Sequence, residues 1–257
     1  MIDEWNPDEE FNVMIFQKRV KEIMEDIYNR GKIPILVGGT GFYIQAVLND
    51  IAFTKEKQGD EIRADLQNLA KEKGTSYLHK KLQKVDKESA EAIHPNNVKR
   101  VIRALEYFQS TGQKFSEHNK EERQKKSPYN FLYLVLTMNR EVLYERIDKR
   151  VDQMMEEGLV KEVKQLLDAG YSRNLVSMQG LGYKEIASAL FKECTMDEAV
   201  YRLKRDTRHF AKRQMTWFRR ERDVTMIDKD IFSDNHEIVN YIMKLAAEKG
   251  ICSCREG

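Results

Sequence analysis

Three glycines around a threonine, Gly38-Gly39-Thr40-Gly41, follow the apolar run Ile33-Pro34-Ile35-Leu36-Val37 and lead into Phe42-Tyr43-Ile44-Gln45-Ala46-Val47-Leu48. This is the pattern of a buried strand turning sharply into a helix. Such a turn suits an anion. Glycine lets the backbone approach closely, and the amides that open a helix point partial positive charge outward. Thr40 adds a hydroxyl donor. The same residues also fit a turn whose glycines serve tight packing alone, and the local pattern does not separate the two readings.

Cations recur where they could meet phosphate. Residues 202–222 hold nine Lys or Arg against two acids. At 100° per residue, Leu203, Phe210 and Trp217 fall within about 40° of one another, while Arg205, Arg208, Lys212 and Arg219 gather opposite. The expected helix has an apolar spine, with Trp217 in the core, and a basic stripe. Solvated faces mix signs, so this stripe favours phosphate or RNA. Gln179-Gly180-Leu181-Gly182-Tyr183-Lys184-Glu185 opens another helix with an amide-rich turn, and Lys184 is close enough to assist an anion there. Arg146 and Arg150, four residues apart, could fork phosphate oxygens or pair with Glu145 and Asp148. Lys99, Arg100 and Arg103 lie near a helix start, where cations are unfavourable; a partner anion competes there with a solvated basic face.

The elements that position these groups follow from spacing. Asn6-Pro7-Asp8-Glu9-Glu10 has helix-start chemistry, and Phe11, Ile15, Val20, Ile23, Met24 and Ile27 mark one face of a helix ending at Gly31. Residues 54–126 read as charged helices over 60–72, 76–85, 87–93 and 97–110, a helical insertion without a strand pattern. Phe131-Leu132-Tyr133-Leu134-Val135-Leu136 reads as a buried strand. Asn139 then caps a helix with Leu143, Ile147, Val151, Met154 and Met155 on its core face, and a further helix covers 159–169. Val224-Thr225-Met226-Ile227 is a second strand, followed by a last helix over 235–248. The pattern predicts an α/β core of residues 1–54 and 127–257 interrupted by a helical domain of residues 55–126.

Composition narrows the class. The 257 residues are 41% hydrophobic, enough for a real core, and 44 basic against 42 acidic residues leave a net charge of +2. Any affinity for nucleic acid must then come from local clustering. Three cysteines, two of them in Cys252-Ser253-Cys254, make neither a disulfide framework nor paired zinc knuckles, which fits a reducing cytoplasm. No apolar run approaches the roughly 18 residues of a membrane span.

In this order the motifs resemble the bacterial tRNA dimethylallyltransferase (tRNA isopentenyltransferase) family. The resemblance is carried by Asn6-Pro7-Asp8-Glu9-Glu10-Phe11, by residues 34–43, by His94-Pro95-Asn96, by Arg103-Ala104-Leu105-Glu106, by Gly182-Tyr183-Lys184, and by Ala211-Lys212-Arg213-Gln214-Met215-Thr216-Trp217. It implies a fold related to P-loop nucleoside-triphosphate hydrolases and kinases, whose helical insertion grips the anticodon stem-loop of tRNA. It implies transfer of a dimethylallyl group from dimethylallyl diphosphate to the exocyclic amine of the adenosine 3′ to the anticodon, with Mg2+. By this resemblance Thr40 meets the substrate adenosine and tRNA, and Arg150 neutralises diphosphate. Arg63, Lys99, Arg100 and Arg103 match tRNA-contacting positions. So do Gln179, Gly180, Leu181, Gly182, Tyr183 and Lys184, and Lys212, Arg213, Gln214, Met215, Thr216, Trp217, Phe218 and Arg219. No metal ligand is identifiable, and the family's enzymes are expected to be monomers.

One departure stands out. The family's P-loop and the aspartate that acts as general base precede the segment matched here. No Gly-x-x-x-x-Gly-Lys-[Ser/Thr] occurs in the 257 residues, and Asp3 matches a later acidic position. The expectation is an N-terminally truncated parallel-sheet core, inactive or nearly so by itself. A noncatalytic RNA-binding protein on the same scaffold, and a nucleotide-kinase-like phosphotransferase, are the competing classes.

Overall fold

A computed structural model describes residues 1–53 and 59–252, the side chains of 59 and 60 excepted. The expected domain boundary at 54–55 and Cys254 lie outside the described residues. The elements, in chain order, are α1 (Val13–Asn29), α2 (Gly41–Leu48), α3 (Gly59–Lys73), α4 (Thr75–Val85), α5 (Lys87–Ala92), α6 (Val98–Thr111) and α7 (Phe115–Gln124), then β1 (Tyr133–Thr137), α8 (Arg140–Glu156), α9 (Leu159–Asp168), α10 (Tyr183–Leu190), α11 (Met196–Phe218), β2 (Val224–Asp228) and α12 (Asn235–Glu248). The chain forms two compact units: Met1–Ile44 with Tyr129–Gly257, and Gln45–Pro128. Among the described residues no helix is long and apolar enough to cross a membrane.

The first unit is mostly helical around a two-stranded parallel sheet. Tyr133 pairs with Val224 and Thr137 with Asp228. Parallel neighbours require a long crossover, here supplied by α8 to α11. Asn139 caps α8 as its sequence predicts, accepting from the Glu141 N–H at 2.8 Å. Val151, Leu159, Val163, Met178, Ile186 and Leu203 form a buried cluster that locks these helices together.

Two local expectations change. The segment 33–37 is neither a strand nor buried: it is irregular, and Ile35 and Val37 are 82% and 88% exposed. An apolar run of strand length becomes a strand only when a neighbour supplies ladder partners, and among the described residues the sheet holds only β1 and β2. Secondly, α1 starts at Val13 rather than near Asn6. Asn12 Oδ1 accepts from the Met14 and Ile15 amides at 3.0 and 3.1 Å, satisfying two of the donors a helix start leaves open. Residues 6–9 instead close a turn, with the Glu9 N–H donating to the Asn6 carbonyl at 3.1 Å.

The second unit is entirely helical among its described residues. Leu66, Leu78, Leu82, Ile93, Val101 and Leu105 fill its core, contributed by α3, α4, α6 and the turn after α5. The fifth helix of this unit, α7, carries no apolar stripe for spacing to detect. It is held by Asp86, a fully buried carboxylate that accepts from the Ser89 N–H (3.0 Å) and Oγ (2.6 Å) and from the Ser116 N–H (2.9 Å) and Oγ (2.7 Å). One side chain thereby caps α5 and anchors the start of α7.

Candidate functional site

In the first unit the glycine turn is clamped by α11. Gln214 Nε2 donates to the Gly39 carbonyl at 2.8 Å, and a Cβ built on Gly39 would stand 2.1 Å from that same nitrogen. A Cβ on Gly41 would lie 2.2 Å from two atoms of the Trp217 indole. A tryptophan ring cannot swing aside as a flexible chain end can, so Gly41 is required by packing. Nothing lies within 4 Å of a Cβ on Gly38. Of the two readings left open by the sequence, close packing accounts for Gly41, while at Gly39 a Cβ would cost the Gln214 hydrogen bond. The spacing of the two segments matches: positions two apart on an extended chain span roughly 6.6 Å, close to the separation of positions three apart on a helix face.

Thr40 sits exposed between these two contacts. Its carbonyl accepts from the Tyr43 and Ile44 amides at 2.9 and 3.2 Å and so opens α2. Tyr43 packs against Phe16 with ring centroids 4.9 Å apart, and burial pushes its phenol up. Trp217 departs from its expected place in the core: it is 39% exposed, meeting Gly41 on one side and Phe42 at 6.5 Å. The buried residues of α11 are Ala199, Leu203 and Phe218, so the apolar spine is turned from the expected one. Periodicity sets the spacing of a helix face, but the neighbours set its phase.

The basic stripe of α11 divides in two. Arg208 Nη1 donates to both oxygens of Asp148 at 2.7 Å, and Lys204 pairs with Asp152 at 2.6 Å, so these cations join α11 to α8. Arg205 is held by Asp206 at 2.8 Å, which lowers the Asp206 carboxyl below its ordinary value. Beyond them, Lys212, Arg213, Arg219 and Arg220 are exposed and make no ion pair among the described residues. These four follow Arg208 along the chain and bracket the two residues that clamp the glycine turn. Met215 and Phe218, also in the matched stretch, face inward, and Thr216 faces outward with its hydroxyl donating to the Lys212 carbonyl at 2.9 Å.

The turn 179–184 lies in the same unit. Gln179 Nε2 donates to the Arg173 carbonyl at 2.7 Å, Gly180 is exposed, and Leu181 is half-buried. Gly182 has φ +97°, a conformation that favours glycine, and its N–H donates to buried Glu185 Oε2 at 2.9 Å. The Tyr183 phenol donates to Glu162; burial and that carboxylate push its pKa up to about 12. Lys184 Nζ lies 3.4 Å from Glu185 Oε1, an oxygen without a hydrogen bond, so its charge is directed at a buried acid. A cleft of about 480 Å³ beside this turn is lined by Gln179, Lys184, Glu185, Arg202, Arg205 and Asp206 among others. Its cations have acidic partners: Lys184 with Glu185, Arg205 with Asp206, and Arg202 with Glu198. Arg173 also lines the cleft and pairs with Glu193, so the lining holds four cations against two acids, with Glu193 and Glu198 balancing the other two from outside it.

Arg150 stands on the exposed face of α8, 3.4 Å from Glu157, with both side chains more than half exposed. Arg146 instead approaches Met138 Sδ at 3.9 Å, so the two arginines do not form the fork their spacing allows.

In the second unit, Arg63 reaches from α3 to Glu106 on α6 with Nη2 at 2.7 Å and Nε at 3.3 Å, and Arg103 approaches the same carboxylate at 3.4 Å. Lys99 and Arg100 are exposed one turn earlier. Glu106 was visible to sequence reading only as the last residue of a motif. Its charge inside an otherwise apolar helix face was the available signal.

Among the described residues no group of three His, Cys, Asp or Glu could hold a metal ion.

The family model for IPP transferase matches residues 1–221. The chain is 54% identical to the tRNA dimethylallyltransferase of Lachnoclostridium phytofermentans and 48% identical to that of Acetivibrio thermocellus, each over 98% of this chain and 80% of the relative. Among solved structures, it resembles the tRNA isopentenylpyrophosphate transferase of Bacillus halodurans with TM-score 0.67 and 42% identity, over 97% of this chain and 78% of that one. It also resembles a eukaryotic dimethylallyltransferase acting on tRNA, with TM-score 0.78 and 27% identity, over 98% and 66% of the two chains.

Proposed function

The chain belongs to the IPP transferase family, the tRNA dimethylallyltransferases, which transfer a dimethylallyl group to tRNA, and on that premise we propose that its glycine turn forms the adenosine-facing wall of the reaction site. The observation that carries this reading is the clamp of Gly39 and Gly41 by Gln214 and Trp217. It fixes exposed Thr40 beside the stretch of α11 that offers unpaired cations to RNA.

In the reaction, the exocyclic amine of the adenosine 3′ to the anticodon attacks the first carbon of dimethylallyl diphosphate. A carbon–nitrogen bond forms, the carbon–oxygen bond breaks with its electrons going to diphosphate, and the amine passes a proton to a general base. The target base must leave its stack to reach the carbon. Thr40 bounds the adenosine, and Arg150 stabilises charge on the departing diphosphate once released from its exposed pairing with Glu157, which costs little. The helical unit, with Arg63, Lys99, Arg100 and Arg103, grips the anticodon stem-loop. The turn 179–184 contributes contacts at its exposed Gln179 and Gly180, since Lys184 is directed at Glu185. Magnesium in this chemistry takes mostly water and phosphate oxygen as ligands, and no residue of this chain is assigned to it. A monomer working in the cytoplasm completes the reading, and free Cys194 and Cys252 suit that compartment.

No residue of the 257 is assigned as general base or as the main diphosphate cradle. Transfer by these residues alone to an anticodon stem-loop RNA should therefore run at least about 100-fold below the Lachnoclostridium relative, the scale of a lost general base. Adding the fifth of that relative which these residues do not match should restore formation of N6-dimethylallyladenosine. Comparable rates without the added segment would show that these residues do supply a general base. No product with it would refute the proposed function, and RNA binding alone would then stand as the noncatalytic alternative.

A further inference from the structure

Glu106 is 1% exposed, between Leu105 and Tyr107 on the buried face of α6. A buried carboxylate carries a desolvation penalty of several kcal/mol, and an apolar residue of similar size is often at least as good for stability. The structure shows what this carboxylate does instead. Its two oxygens take Arg63 in a two-point grip from α3, at 2.7 and 3.3 Å, and one of them also takes Arg103 at 3.4 Å. Both arginine side chains remain more than two-fifths exposed, at 45% and 42%. The acid lies beneath, and the guanidinium groups reach the surface above it.

The charge pattern gives this arrangement a purpose. Lys99, Arg100 and Arg103 lie three and four residues apart on one helix, spacings at which like charges repel. Arg63 adds a fourth positive charge from the neighbouring helix. Glu106 offsets that crowding from below.

We infer that Glu106 is a positioning residue for RNA, holding Arg63 and Arg103 as a preset pair of guanidinium groups for backbone phosphates. This rests on reading the Gln45–Pro128 unit as the part that grips the anticodon stem-loop. Planar guanidinium groups fixed before binding lose less freedom on meeting phosphate than lysines would.

The sign of one substitution separates this inference from simple electrostatics. Glu106→Gln removes a negative charge, so charge alone would tighten RNA binding. The inference requires the opposite. In the full chain, affinity for a fluorescein-labelled anticodon stem-loop should fall about tenfold, and the slope of log affinity on log salt should shrink by about 1 to 2 as two phosphate contacts are lost. A merely structural role would lower the binding-competent fraction and leave the slope unchanged. In an Arg63→Gln/Arg103→Gln background, Glu106→Gln should produce little further loss. If Glu106→Gln fails to melt cooperatively, Arg63→Lys provides the reading: it keeps the charge, removes the two-point grip, and should still weaken binding several-fold. Unchanged or tighter binding by a folded Glu106→Gln, or by Arg63→Lys where that is used, overturns the inference. A wild-type chain that does not bind the RNA at all overturns the proposed function along with it.

Discussion

Single atoms decide much of this molecule. At Gly41 only hydrogen fits beside the Trp217 indole, and at Gly39 a Cβ would push the Gln214 amide off its bond to the Gly39 carbonyl. Both glycines were legible as a turn, but their partners lie more than 170 residues away, beyond the reach of local pattern. Asp86 shows the same separation in the helical unit. Burial would raise its carboxyl, yet four hydrogen bonds from Ser89 and Ser116 outweigh that and hold it below its ordinary value. A depressed native value stabilises the fold above the unfolded pKa of about 3.9, and that stability is lost as pH falls through the native value. Asp86→Asn should therefore cost about 2 kcal/mol at neutral pH, with a gap from wild type that closes below about pH 4 in denaturant melts. A gap that stays constant down to pH 3 would show that the ionised form is not what the serines hold.

At the scale of elements, helices were the most legible feature, because spacing and caps such as Asn139 are written locally. The segment 33–37 was misread because strand formation depends on a neighbour, and α7 was missed because a buried aspartate, not an apolar stripe, anchors it. The basic stripe of α11 was legible as charge but not as pairing: Asp148 and Asp152 on α8 neutralise part of it. This division predicts unequal effects. Arg219→Gln or Lys212→Gln should each weaken stem-loop binding and reduce the salt slope by about 0.7 to 0.9. Arg208→Gln should leave the slope intact and lower the melting temperature instead, because it strips a partner from Asp148. Equal slopes for the Arg208 and Arg219 variants would erase the distinction.

Across the whole molecule, each unit contributes cations held in a different way. The helical unit sets Arg63 and Arg103 on a buried acid, and the sheet-bearing unit leaves Lys212, Arg213, Arg219 and Arg220 without ion pairs around the glycine clamp. The family was legible from six short motifs in order, and the comparisons agree with it over residues 1–221. What no motif could give is why two of those motifs belong together: Gly39 and Gly41 are completed by Gln214 and Trp217. The central claim is that this clamped turn faces the target adenosine, and photocrosslinking tests it without depending on turnover. An anticodon stem-loop carrying 8-azidoadenosine 3′ to the anticodon, irradiated on the full chain and mapped by peptide mass spectrometry, should label residues 38–43 or Trp217. Labelling confined to the Gln45–Pro128 unit would contradict the account.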